Sequence, residues 1–295
     1  MYLPSLSSAV FLLALLQLSF ALAAEPPAAE LLKLHTADAK GYRIFLDENK
    51  SQELELQVKP VFTWTNVVGE QSQLGHVFLW THAGRPEAIG TIFSTRMSDP
   101  KRRRLIHEFH TLSTSKLIPV SPENSIRQWK PEAGIVLSPC EGAPAVAETS
   151  AQRLTQMRNL ARTFAAQSKS REEKTWELRL LTTPLLQYKP SSKEVLEGAL
   201  FAMVSSAGTD PEVLLMLEAR HPAADDKSWA WHAAALRFSD KDLTIKQSGK
   251  LVWSSLEDES KRAEISDSYR LIQTKDKTYM CYLSHIIDEL PEAPP

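Results

Sequence analysis

Histidines between residues 76 and 110, together with one glutamate, are the side chains best suited to chemistry. His76 and His82 flank a predicted hairpin, and His107, Glu108 and His110 follow within one short stretch. Imidazole and carboxylate groups bind Zn²⁺ and transfer protons near neutral pH. His76, His107, Glu108 and His110 are therefore the candidate catalytic residues of a hydrolase or a metal-dependent enzyme.

The spacing of these residues does not specify a site. If residues 105–112 form a strand, Glu108 and His110 share one face and His107 points to the other. Neither an H-E-x-x-H nor an H-x-H pattern is present. The alternative is that these histidines are structural or lie at the surface, and this alternative predicts no bound metal and no cofactor.

Two tryptophans form a second candidate site. Trp229 and Trp231 are separated by one residue, so they share a face of a predicted strand. Exposed indole rings stack on sugars and other small molecules, whereas buried indoles pack in the core. Trp229 and Trp231 are therefore candidate ligand-binding residues, with core packing as the alternative.

Composition and missing motifs narrow the function classes. The 34 basic and 36 acidic residues give a net charge of −2, which excludes nucleic-acid binding by bulk charge. The basic run Lys101–Arg104 is predicted to be a solvated loop. Nucleophile-elbow, P-loop and dinucleotide-binding motifs do not occur. The expected partner is a small molecule, a glycan or an envelope protein, and not a nucleic acid.

The N-terminus has the pattern of a signal peptide. Residues 1–24 carry no charged side chain, and the apolar run Ala9–Leu16 is followed by Ala21-Leu22-Ala23-Ala24. Small residues in this arrangement predict cleavage after Ala23 or Ala24, with a retained membrane anchor as the alternative. We expect a periplasmic or extracellular protein with no membrane span after cleavage.

The chain contains two cysteines, Cys140 and Cys281. An oxidising compartment would allow one long-range disulfide between them, but the sequence leaves this open. Two cysteines without a C-x-x-C pattern do not predict a zinc site.

The sequence also matches itself at an almost constant offset. Pro60–Trp64 corresponds to Pro184–Tyr188 at an offset of 124 (184 − 60), and Gly75 corresponds to Gly198 at 123 (198 − 75). In this alignment Ala199 and Trp231 take the places of His76 and His107. The pattern predicts an internal duplication with units at residues 25–145 and 146–295, unless the matches are coincidence among common apolar patterns.

Each predicted unit begins with a helix and continues with strands. A helical stripe of Leu154, Met157, Leu160 and Phe164, with Thr149 or Ser150 as N-cap, precedes the second set of strands. A rougher helix near residues 28–35 precedes the first set. These patterns predict an α+β fold of two tandem related units, each one helix plus an antiparallel sheet. The units either form separate domains or pack with pseudo-twofold symmetry around a shared core. The small number of glycines favours the shared core.

Several stretches resemble a family of exported bacterial proteins that has no assigned activity. The stretches are Val77–Thr81 with Gly84–Ala88, His107–His110, Arg153–Ala161 and Gly198–Ala202. The resemblance covers most of the chain after the predicted cleavage site, and it implies export but no catalytic residues. The sequence thus favours a non-enzymatic module that binds a ligand or partner, with the hydrolase or metal-dependent enzyme as the alternative.

Overall fold

The computed structural model describes residues 28–66, 72–99, 102–121, 128–206, 208–221, 228–257, 259, 262–266 and 271–288. The predicted signal peptide at residues 1–24 lies outside these residues. None of the helices in the described ranges is long and apolar enough to cross a membrane.

Strands dominate the described part of the chain. Its two helices are α1 (Ala28–Lys40) and α2 (Ser150–Ala161). Its strands are β1 (Arg43–Phe45), β2 (Glu55–Leu56), β3 (Phe62–Asn66), β4 (Gln73–His82), β5 (Arg85–Arg96), β6 (Arg102–Thr111), β7 (Ile118–Val120), β8 (Ser138–Pro139), β9 (Phe164–Lys169), β10 (Thr175–Leu180), β11 (Leu186–Tyr188), β12 (Val195–Val204), β13 (Pro211–Arg220), β14 (Ala230–Arg237), β15 (Asp242–Gln247), β16 (Lys250–Ser254), β17 (Glu264–Ser266), β18 (Leu271–Gln273) and β19 (Tyr279–Asp288).

The strands form three antiparallel sheets, one of which curls into a half-barrel. The first large sheet has the order β17-β18-β19-β6-β5-β4-β2, and β3 also pairs with β4. The second large sheet has the order β16-β15-β9-β10-β12-β13-β14-β8, and β11 also pairs with β12. The third sheet joins β1 to β7.

The two large sheets face each other, and a helix covers the outer face of each. Side chains alternate along β4, so that Val77 and Leu79 pack between the sheets while Phe78 and Trp80 pack in the core on the α1 side. Along β12, Leu200 packs between the sheets and Phe201 packs in the core that includes α2 residues. Apolar residues on both faces of these strands explain why their sequences read as nearly continuous hydrophobic runs.

The start of α2 follows from its sequence. The Thr149 hydroxyl accepts a hydrogen bond from the Gln152 amide, and the Gln152 side chain accepts from the Thr149 amide. This capping box satisfies two amides that the helix itself leaves unpaired. Of the two predicted N-cap residues, Thr149 is the N-cap and Ser150 is the first residue of the helix. The helix ends at Ala161, so Phe164, which was predicted to extend the helical stripe, begins β9 instead.

The prediction of an α+β fold of two tandem units, each one helix plus an antiparallel sheet with pseudo-twofold packing, is wrong. Of the residues that the structure describes, 50% are in strands and only 11% are helical, and the strands form three sheets. Strands β17, β18 and β19, which come last in the chain, join the sheet that contains β4, β5 and β6. Local sequence patterns do not report such pairing between strands more than 150 residues apart, because it depends on tertiary packing.

Candidate functional site

Strand β6 separates the candidate catalytic residues onto two faces. Phe109, which lies on the same face of β6 as His107, packs in the core on the α1 side together with Tyr42 and Tyr282. The His107 ring contacts these same two tyrosines. Glu108 instead lines a cleft together with Phe238 and Lys241, which follow β14 in the opposite sheet. The structure therefore does not bring His107 and Glu108 into one site.

His107 belongs to a buried polar network beneath α1. Its Nε2 lies 2.9 Å from Asp38 Oδ2, and its Nδ1 lies 2.5 Å from the Tyr42 hydroxyl, which also contacts the Tyr282 hydroxyl. Burial lowers the pKa of His107, although the Asp38 carboxylate opposes this change. Burial also raises the pKa of Tyr42 far above its usual value. Both groups are held neutral, so the network is suited to fixing α1 on the sheet rather than to supplying a nucleophile.

His76 lies on this same side of the sheet and contacts a histidine of α1. Its Nδ1 is 2.8 Å from Nδ1 of His35, and both side chains are buried. Burial lowers the pKa of His76 to about 4. Burial, together with the nearby His76 ring, lowers the pKa of His35 to about 2. Nε2 of His35 is buried without a hydrogen-bond partner. Both imidazoles are therefore neutral at pH 7.

The cleft that contains Glu108 has a volume of about 670 Å³, within the usual range for small-molecule sites. One wall comes from the first large sheet, and the other comes from the start of β13 and the segment after β14. The first wall includes Trp64, Thr91, Phe93, Arg104, Glu108, Tyr279 and Cys281, and the second wall includes Asp210, Phe238, Asp240 and Lys241. Aromatic and ionisable side chains thus meet in one cleft.

Glu108 is the most perturbed acid in this cleft. It is 8% exposed, and the Tyr279 hydroxyl donates a 2.6 Å hydrogen bond to its Oε1. Burial raises the pKa of Glu108 to about 8, and the carboxylates of Asp240 and Asp210 raise it further, whereas the Tyr279 bond and Arg237 oppose the rise. The group is therefore largely a neutral carboxylic acid at pH 7, able to donate a proton or a hydrogen bond.

The register of two neighbouring strands places the partners of Glu108. On β19, Cys281 pairs with Glu108 and Tyr279 pairs with His110, so the Tyr279 ring reaches diagonally to the carboxyl. Burial, with a contribution from Glu108, raises the pKa of the Cys281 thiol well above its usual value. Cys281 is a free thiol, as is Cys140, so the two cysteines form no disulfide.

A glycine allows an indole to lie against the sheet at the edge of this cleft. Trp64 on β3 pairs with Gly75 on β4, and a Cβ atom at Gly75 would lie 2.2 Å from Cε2 of the indole. The indole Nε1 instead reaches Thr91 Oγ1 at 3.0 Å. Only glycine leaves room for this close approach, which fixes the aromatic wall beside Thr91.

His110 lines a different cavity. This second cavity, of about 1030 Å³, also contains the exposed apolar side chains Val136, Leu251 and Val252. His110 Nδ1 lies 2.6 Å from the Thr111 carbonyl oxygen, and burial lowers the pKa of His110 to about 4. His110 is thus close to Glu108 along β6 but does not line the same cavity.

The tryptophan pair does not form an exposed surface. Trp231 is 2% exposed in the core that α2 covers, and its buried Nε1 has no hydrogen-bond partner. Trp229 is half-buried and stacks on His221 with ring centroids 3.6 Å apart. His82 lies at the end of β4, beside the hairpin turn in which Gly84 takes a φ of 83°.

The basic run lies in a strand rather than a loop. Arg102, Arg103 and Arg104 begin β6, while Lys101 falls outside the described residues. Arg103 is 4% exposed and donates to Ser94 Oγ. Arg104 lines the Glu108 cleft. The run is therefore partly structural.

Sequence reasoning did not identify the residues that surround Glu108. Asp210, Asp240 and Tyr279 lie 102, 132 and 171 residues away from it (210 − 108, 240 − 108, 279 − 108). No motif joins them, and only the pairing of β19 with β6 and the facing of the two sheets bring them together. In the described part of the chain, no group of three His, Cys, Asp or Glu side chains has a geometry that could hold a metal ion. No protein-family model, curated protein or solved structure matches this chain.

Proposed function

We propose that this protein is exported and binds a small molecule with polar and apolar parts in the Glu108 cleft, without catalysing a reaction. The observation that carries the proposal is the cleft itself. A 670 Å³ space between two sheets joins aromatic walls to a buried carboxyl group of raised pKa.

The alternative, a hydrolase or metal-dependent enzyme, receives less support from the geometry. Its histidines and Glu108 would have to meet in one place. His76 and His107 lie on the α1 side of the sheet, and His110 lines the other cavity. A neutral carboxylic acid in an accessible cleft can also orient a ligand by hydrogen bonding, which needs no second catalytic group.

Binding can be tested by nuclear magnetic resonance of isoleucine methyl groups. Ile106, Ile272 and Ile286 line the cleft, whereas Ile44 and Ile245 lie in the cores beside α1 and α2. A library of cationic, neutral and anionic aromatic fragments should include compounds that shift the first three signals and leave the other two unchanged. If no fragment shifts the cleft signals selectively, the proposed function is wrong.

Export rests on the sequence of residues 1–24 and on the resemblance to exported proteins. The test is mass spectrometry of the protein recovered from outside the cytoplasm of an expressing bacterium. We expect a new N-terminus at Ala24 or Glu25. Recovery of the chain only from the cytoplasm, with Met1 retained, would contradict export.

An internal duplication is also part of this proposal. It is supported by Gly75 facing Trp64 in one sheet and Gly198 facing Tyr188 in the other. A Cβ atom would lie within 2.4 Å of the ring at either glycine. An alignment of relatives should contain the two glycine–aromatic pairs together.

A further inference from the structure

Arg104 and Lys241 line the cleft beside three acidic residues, Glu108, Asp210 and Asp240. In the described part of the chain, neither Glu108 nor Asp210 makes an ion pair with a lysine or an arginine. Asp240 is paired with Arg171 at 3.0 Å, and Lys241 is paired with Glu212 at 2.8 Å. Two of the carboxyl groups in the cleft are thus left without a cationic partner.

Glu108 is also incompletely hydrogen-bonded. Tyr279 contacts only Oε1, and no other described side chain or backbone group bonds to the carboxyl. A nine-tenths buried carboxyl group that lines a cavity with one free oxygen has a place for a ligand atom. This observation is independent of the number of acids nearby.

The walls beside Glu108 suit an apolar or aromatic body. Phe93 packs against the Trp64 indole with ring centroids 5.1 Å apart, and Phe238 faces them from the second sheet. Aromatic faces attract cations through their quadrupoles, and they also bury the apolar part of a ligand.

From this arrangement we infer that the ligand carries a protonated amine on an apolar body, with the ammonium group between Glu108 and Asp210. The inference rests on the proposed function, since it names the class of ligand for the same cleft. An ammonium group would supply the free oxygen of Glu108 with a donor and both acids with a positive charge. It would also bring Glu108 to its ionised form, so that binding releases a proton.

The charged groups around Glu108 give the expected pH dependence. Tyr279 and Cys281 face it from β19, Asp210 and Asp240 from the opposite wall, and Arg237 from the end of β14. Arg104 of β6 and Lys241 of the opposite wall also line the cleft. Burial raises the pKa of Glu108 to about 8 in the empty cleft. Because only the ionised carboxyl pairs with an ammonium group, affinity should be about tenfold higher at pH 9 than at pH 7.

The experiment compares three probes of similar shape by titration calorimetry and methyl resonance shifts. Phenethylamine is the cation, phenethyl alcohol the neutral analogue and hydrocinnamate the anion. We expect phenethylamine to bind most tightly, to shift the Ile106 and Ile272 signals and to bind about tenfold more tightly at pH 9 than at pH 7, with proton release.

Two variants test the role of the carboxyl. Glu108→Gln keeps the shape but cannot ionise, so it should lose at least tenfold in affinity for phenethylamine at pH 9 and lose the pH dependence. Glu87→Gln is the matched control, because Glu87 is also a buried carboxyl group but lines neither cavity. Its affinity should stay within twofold of that of the unmodified protein.

The outcomes separate the two proposals. If phenethyl alcohol or hydrocinnamate binds in the cleft as tightly as phenethylamine, the amine inference is wrong and ligand binding in the cleft stands. The same holds if affinity falls between pH 7 and pH 9. If none of the three probes shifts the cleft signals, the amine inference is overturned, and the fragment library decides separately whether the proposed function stands. The pH profile of the unmodified protein needs no variant, so it decides the question even if Glu108→Gln does not fold.

Discussion

The two helices lie on their sheets in similar ways but cover different chemistry. Each helix buries residues at positions i, i+4 and i+8, namely Leu31, His35 and Ala39 in α1 and Arg153, Met157 and Ala161 in α2. Across the sheet beneath α1, His76, Ile92 and His107 pair in one row. In the other large sheet the row of Ala199, Leu217 and Ala233 pairs in the same way.

Packing of a helix on a sheet therefore does not by itself require the imidazoles. Methionine and alanine occupy these positions on the α2 side, whereas the α1 side buries neutral histidines. Each side also contains a buried nitrogen without a hydrogen-bond partner, Nε2 of His35 and Nε1 of Trp231. Such burial costs free energy. The stability of the α1 side should therefore depend on pH in a way that the corresponding α2 positions do not allow. The buried polar contact of α2 is instead a charge pair at its first turn.

Breaking that charge pair should lower the free energy of unfolding more than any other change considered below. Arg153 Nε lies 2.5 Å from Glu197 Oε2, and both side chains are buried. Arg153→Met leaves the carboxylate buried without its cation and should lower the free energy of unfolding by about 3–5 kcal/mol, measured by urea denaturation. The double change Arg153→Met with Glu197→Leu should recover much of the loss.

The matched change beneath α1 is Leu31→Met, which exchanges two apolar side chains of similar volume. It should cost less than about 1.5 kcal/mol. Equal losses for Arg153→Met and Leu31→Met would remove the contrast between the two helices.

The glycines beside the aromatic rings test whether the two sheets are equally tight. Gly75→Ala places a methyl group against the Trp64 indole, and Gly198→Ala places one against the Tyr188 ring. Each change should cost about 1–3 kcal/mol, because the ring must leave its position. In Gly75→Ala the hydrogen bond from the Trp64 indole to Thr91 should also break. The chemical shift of the Trp64 indole N–H proton measures this change. An unchanged resonance together with unchanged stability would show that the ring has room to move.

The histidine contact beneath α1 can be made to resemble the α2 side. His35→Met removes the partner of His76 Nδ1 and should cost about 1–3 kcal/mol by itself. Adding His76→Ala removes the unsatisfied group, so the double variant should lose less than the sum of the two single losses. Strict additivity in the double-mutant cycle would mean that the two rings are not coupled.

The same pair of variants tests the pH dependence. The folded-state pKa values of His35 and His76 are lowered to about 2 and 4 from an ordinary value of 6.5. Their contribution to stability is therefore complete above pH 6.5 and is lost as the pH falls towards 4, because the unfolded chain takes up protons first. The double variant should show a flatter loss of stability between pH 6.5 and 4. An identical profile would assign the acid sensitivity to other groups.

The smallest effect is expected at the start of α2. Thr149→Ala removes the hydroxyl of the capping box and should cost about 1 kcal/mol. Thr149→Ser keeps the hydroxyl and serves as the control, with a loss near zero. A similar loss for both would mean that the cap contributes little in this context.

Local patterns in the sequence predicted a substantial part of the elements. Runs of apolar, β-branched and aromatic residues located β4, β5 and β6 and the long strands β12, β13 and β14, and Thr149 was one of two candidates for the start of α2. The spacing of His107, Glu108 and His110 also predicted correctly that β6 would divide them between its faces. These features follow from side-chain direction within one strand or one helix turn, which neighbouring residues fix.

The sequence did not predict β9, β11 or the three final strands. β9 follows α2 directly, so its apolar residues continued the helical pattern across the boundary. The final strands are short or carry weak alternation, and their pairing with β6 determines where they lie. Only tertiary contacts decide whether such a segment forms a strand and where that strand pairs, because strand preference depends on the neighbours across the sheet.

Patterns among near neighbours in the sequence thus located most of the long strands, the start of α2 and the face of β6 that each ionisable residue takes. The tertiary structure decided that the fold is mostly β and that Tyr279, Asp210 and Asp240 surround Glu108. The two kinds of feature differ in how far apart in the sequence the interacting residues lie. Strand and cap patterns arise from bonds between near neighbours, whereas burial and the field of distant carboxylates set the pKa of Glu108 and exist only once the sheets have packed.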